Sequence, residues 1–81
     1  MNGHELRPKI IVPGCEVFSA AGTKIGVVAE VRGDLFRVAV PLQPDYWLPG
    51  RSVAYTDQGR VMLRVDLSEL DEFRVREDRA A

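Results

Sequence analysis

The amino-acid sequence predicts an all-β fold: a small barrel of five to six antiparallel strands with a short C-terminal helix. Three observations lead there. Short runs of alternating apolar and polar residues recur at regular spacing. Glycine-containing turns separate them, at Gly22, Gly33 and Gly59. The chain has only 81 residues, and closing so short a sheet on itself removes the unpaired edges that invite aggregation.

The elements run in order along the chain. Ile10-Ile11-Val12 is a short extended segment halted by Pro13-Gly14, either a barrel strand or an edge that pairs with a second copy. Glu16 to Ser19 forms the first full strand, and Ala20-Ala21-Gly22-Thr23 the hairpin connection, with Gly22 free to take a positive φ. Ile25, Val27, Ala29 and Val31 then alternate with Lys24, Gly26, Val28 and Glu30, which gives an apolar face of period two. After a tight turn at Gly33-Asp34, Phe36, Val38 and Val40 line one face and Arg37 the other. Pro41 ends this strand, because proline cannot donate to a ladder. A loop leads to Tyr46-Trp47-Leu48, closed by Pro49-Gly50. Val53 and Tyr55 share a face in the next strand, and a turn at Thr56–Gly59 leads to Val61, Leu63 and Val65. Asp66-Leu67-Ser68-Glu69 has the spacing of a capping box, and Leu67, Leu70 and Phe73 come at helical spacing. The helix is expected to cover an open end of the sheet.

This organisation divides the chain into an N-terminal arm (1–9), one folded domain (10–74) and a charged C-terminal tail (75–81). Hydrophobic residues make up 46% of the chain, too many for a disordered one. The single cysteine, Cys15, excludes an internal disulfide, and no secretory signal or apolar run of membrane-spanning length is visible. A cytoplasmic location is the expectation. Eleven basic side chains stand against 12 acidic ones, a balance that argues against nucleic-acid binding through bulk charge while leaving room for a local basic face.

The order of Pro13-Gly14-Cys15-Glu16-Val17, Ala21-Gly22-Thr23-Lys24-Ile25-Gly26-Val27-Val28, Trp47-Leu48-Pro49, Val53 and Gly59-Arg60-Val61-Met62-Leu63 resembles the PRC-barrel superfamily. Within it, the chain is most similar to the small bacterial domains of unknown function called DUF2171. The likeness spans Ile11 to Phe73. Gly26 matches the second glycine of the family's turn-and-strand pattern, whereas Ala21 stands where an acidic residue is usual. The resemblance implies a six-stranded barrel. It also implies a docking module without catalytic residues, as in the H subunit of photosynthetic reaction centres and in a ribosome-maturation factor.

No constellation suited to catalysis stands out, and neither a cofactor nor a metal is expected. His4 is the only histidine, and with Cys15 it offers two potential ligands where a metal site needs several. Cys15 reads as a buried small hydrophobe. Asp66, Glu69, Asp71 and Glu72 suit capping and a solvated helix face. The candidate partner surface is centred on Tyr46 and Trp47, extended by Leu42, with Arg37, Arg51 and Arg64 as a polar rim. If Leu48 is buried, strand alternation turns Trp47 outward, and an exposed Trp beside Tyr and Pro suits an interface anchor. The opposite arrangement, with Trp47 folded over a barrel end, remains open on the sequence. The expected function is therefore a non-enzymatic protein–protein interaction or assembly module, with self-association as one form. The alternative is a nucleic-acid or ribosome-associated module using outward arginines of the strands, Arg32, Arg37, Arg51, Arg60 and Arg64.

Overall fold

The structure is a computed structural model that describes residues 10–75. The proposed arm (1–9) and, beyond Val75, the proposed tail lie outside the described residues, and so does His4. Six strands form one sheet: β1 (Glu16–Phe18), β2 (Lys24–Arg32), β3 (Leu35–Ala39), β4 (Tyr46–Pro49), β5 (Val53–Asp57) and β6 (Arg60–Leu63). Their spatial order is β4-β3-β2-β1-β6-β5.

Two expectations about the sheet need correction. It is mixed, because β1 runs parallel to β6, with Val17 opposite Val61. It is also a curled half-barrel with β4 and β5 as its end strands, in place of a closed barrel. The curl arises from one short link. β4 ends at Pro49 and β5 begins at Val53, with only the 3-10 turn Gly50–Ser52 between them. Four Cα steps reach at most about 15 Å, so the two edges are drawn together at this end. Ser52 seals the link: fully buried, it donates from Oγ to the Pro49 carbonyl at 2.7 Å.

The core fills the concave face. Val17, Val28, Phe36, Val38, Leu48, Val53, Val61 and Leu63 are all at most 2% exposed, with Cys15, Ile25, Tyr46 and Leu70 packed among them. Alternation placed β3 and β6 correctly. It failed on β2, where Val28 takes the core position and Ala29 is exposed, while Val31 keeps the expected facing opposite the core residue Phe36 and is still 38% exposed. The cause is a pair of bulges, which skip Ile25 opposite β1 and Ala29 opposite β3. Each extra residue inverts the facing of the residues after it. A third bulge between Val53 and Tyr55 does the same in β5, so Tyr55, expected in the core, is 54% exposed.

Gly26 lies tight against β3. A Cβ there would fall inside the contact radius of the Ala39 carbonyl oxygen. Ile10-Ile11-Val12 forms no strand; Ile11 packs on the core while Ile10 and Val12 are exposed. The expected C-terminal helix is a 3-10 turn, Leu67–Glu72. A spacing of three, as in Leu67, Leu70 and Phe73, is the repeat of a 3-10 helix. Only Leu70 is buried, Phe73 is partly so, and Leu67 is exposed. Asp66 anchors the turn: its Oδ1 accepts the Ala21 N–H at 2.9 Å and its own N–H donates to Glu69 Oε1 at 3.4 Å.

Candidate functional site

The β3–β4 connection begins as a tight turn. The Gln43 N–H donates to the Val40 carbonyl at 3.1 Å, with Pro41 and Leu42 in the two central positions. Proline at the first and a positive φ at the second are the marks of a type II turn, whose second position normally takes glycine or asparagine. Here it holds leucine, at φ 63°. Left-handed backbone costs a bulky L-residue roughly 1–2 kcal/mol. Leu42 recovers none of this by packing, being 104% exposed. Beside it runs an apolar groove of about 450 Å³, lined by Ile25, Val27, Ala39, Val40 and Pro41 with Lys24 at its rim.

Tyr46 and Trp47 lie beyond this turn on opposite faces of β4. Tyr46 belongs to the core cluster, which corrects its assignment to an exposed patch. Its phenol is pushed above the ordinary range, chiefly by burial, with the Arg74 guanidinium partly offsetting this. Trp47 does face away from the core, opposite Arg37 in the register. It is nevertheless only 4% exposed, so of the two arrangements the sequence left open the indole is covered, though on the outer face of the sheet and not over a barrel end. The Arg32 and Arg37 guanidiniums lie 4.9 and 5.9 Å from its ring centroid. Val75 bridges to its backbone across the β4 edge, with an N–H···O bond of 2.8 Å.

The two arginines are held by acids. Glu30 takes Arg32 Nη2 at 2.9 Å and Arg37 Nη2 at 3.1 Å, and Asp45 takes Arg37 Nη1 at 2.6 Å. The Glu30 carboxyl is accordingly held below its usual value, first by its hydrogen bond from Arg32 and then by that from Arg37. The Glu30 contact likewise holds the Arg37 guanidinium above its usual value.

The expected polar rim does not encircle Leu42. Arg37 lies at mid-strand in β3. Arg51 sits in the link beyond the far end of β4, 5.1 Å over the Phe73 ring. Arg64 lies just past β6 and donates to the Val53 carbonyl at 3.3 Å. Among the described residues, no group of three or more His, Cys, Asp or Glu is placed to hold a metal ion. Cys15 is buried. No helix among them is long and apolar enough to cross a membrane.

The sequence had no means of locating the cover over Trp47, since Val75 lies 28 positions downstream. The Arg37–Trp47 pairing was within reach. Once Phe36 and Leu48 are both core residues on neighbouring antiparallel strands, their outward neighbours face each other.

The family model of an uncharacterized protein conserved in bacteria, DUF2171, matches residues 11–71. No curated protein and no solved structure matches.

Proposed function

The chain belongs to the DUF2171 family, and from that premise we propose that it is a non-enzymatic docking module of PRC-barrel type that engages a protein partner through the Pro41–Gln43 turn. Leu42 carries this reading. Local backbone chemistry calls for glycine or asparagine at this position, and burial gives leucine nothing in return. A strained residue that does nothing for its own fold points to a role outside it. The adjacent groove adds a concavity beside the projecting side chain, the pairing of knob and hole that well-packed interfaces use.

Nucleic acid is the weaker partner class. Arg32 and Arg37 are already paired with carboxylates, and their guanidiniums cover the Trp47 ring that a base would need for stacking. The test is capture of partners by the tagged chain from nuclease-treated lysate, compared with Leu42→Asn. A protein that the native chain retains and the variant loses supports the reading. Binding that disappears with nuclease overturns it.

A further inference from the structure

The β4 edge holds an unusual combination. β4 is an end strand of the sheet, and among the described residues only Val75 bridges its outer edge. The segment Phe73–Val75 lies along this edge; Phe73 also packs on the core and Arg74 also pairs with Asp71. Arg51 stacks on Phe73, Arg74 stacks on Tyr46 at 4.5 Å, and the Val75 N–H reaches the Trp47 carbonyl. Beneath it, the indole Nε1–H of Trp47 is buried and has no hydrogen-bond partner among the described residues. Buried donors are nearly always paired, so an orphan one calls for an acceptor that the present occupant does not supply. Val75, the residue directly opposite Trp47, has an apolar side chain and cannot supply it.

We propose that the β4 edge is a strand-addition site for an extended, acidic segment of the partner protein, and that Phe73–Val75 is the displaceable strap that occupies it in the free chain. This deepens the docking reading and rests on it. Strand addition takes its affinity from main-chain hydrogen bonds to a free edge and its selectivity from alternate side chains. The groups left unsatisfied at the edge set that selectivity. Arg32, Arg37 and Arg51 stay when the strap leaves, balanced by Glu30 and Asp45, which pair with the first two, and by Asp34 beside Gly50, so the pull on an acid comes from the orphan indole N–H and from Arg32 next to it. Arg32 retains a 65% exposed side chain. An Asp or Glu replacing Val75 opposite Trp47 falls on the outer face, where its carboxylate can meet both the orphan indole N–H and Arg32. A nucleic acid has no peptide backbone to pair with the edge.

Trp47 is the only tryptophan of the chain, so its fluorescence reports directly on the edge. The probes are a ten-residue peptide alternating Val and Asp, its Val/Lys counterpart and a ten-nucleotide RNA, each titrated into the full chain. The Val/Asp peptide is expected to bind and to shift the Trp47 emission. Val75→Pro removes the N–H that holds the strap and should red-shift the emission of the free chain. If the strap occupies the edge nine-tenths of the time, its release tightens the apparent dissociation constant for the peptide about tenfold. Val75→Glu keeps the backbone bond and adds the missing acceptor, so it should weaken peptide binding severalfold. This second variant keeps the test decisive if Val75→Pro fails to fold. Equal binding of the Val/Asp and Val/Lys peptides overturns the proposal, as does preferential binding of RNA or indifference to Val75→Glu. Leu42→Asn, in the same titration, separates the two ideas. Loss of lysate capture with peptide binding retained means that the edge works apart from the turn. Capture retained by the native chain with no peptide binding removes the edge proposal alone.

Discussion

Replacing Gly26 with alanine should destabilise the domain strongly. The added Cβ collides with the Ala39 carbonyl oxygen and meets Val38 Cγ1 at 3.2 Å. The first obstacle is backbone, so no side-chain rotation relieves it. β3 would have to retreat by on the order of 1 Å, and overpacking of this kind costs about 1–3 kcal/mol. The retreat also stretches the β2–β3 ladder around the Val27–Ala39 pair, adding roughly 1 kcal/mol for each hydrogen bond weakened. A total near 3–4 kcal/mol is a large share of the roughly 5–15 kcal/mol that holds a domain folded. In a chain this short, each kcal/mol lowers the midpoint by about 4–8 °C. Thermal melts monitored by circular dichroism should therefore show a drop of more than about 12 °C. Gly22→Ala is the matched control. Gly22 has φ 94° and no atom within 4 Å of the added Cβ, so only backbone strain of about 1–2 kcal/mol acts there. A Gly26→Ala protein that melts no lower than Gly22→Ala would refute the close strand approach.

Three further outcomes are expected of the structure. Tyr46 has its phenol raised by burial, so it contributes stability that is complete below the ordinary tyrosine value near pH 10 and lost as pH climbs through the raised one. Tyr46→Phe should remove that alkaline loss, read as urea midpoints on either side of about pH 10. Glu30 is held below its ordinary value of 4.5. Its contribution is present above that value and fades as pH falls through the lowered one, so Glu30→Gln should flatten the acid limb of the stability profile. Asp66→Ala cuts the tie from the 3-10 turn to Ala21. It should cost about 1 kcal/mol in denaturant titrations, as removal of a capping side chain does.

Much of the fold was legible because period-two patterning is reliable wherever a strand keeps one register. β3 and β6 keep theirs, and Phe36, Val38, Val61 and Leu63 fall in the core as the pattern requires. The signal fails where a bulge inserts a residue. Ala29 in β2 and the step from Val53 to Tyr55 in β5 each invert the facing of the next residues along the strand, and neither bulge has a composition that marks it. The parallel pairing of β1 with β6 was also out of reach, since it joins segments some 44 positions apart and no turn encodes it. At the candidate site, the sequence singled out Leu42 and the outward face of Trp47. The covering of Trp47 depends on Arg32, Arg37 and Val75 converging from three elements, which local pattern does not record. Pro41-Leu42 carried a sign that was readable: proline succeeded by a leucine where a turn would favour glycine.

The central claim is that Leu42 serves a partner at the expense of its own turn. The most direct test measures both sides on one variant. Leu42→Asn should melt at or above the temperature of the native chain, since asparagine tolerates left-handed backbone, and should lose the captured protein. A variant that melts lower, or that captures the same protein as well as the native chain, would contradict the account.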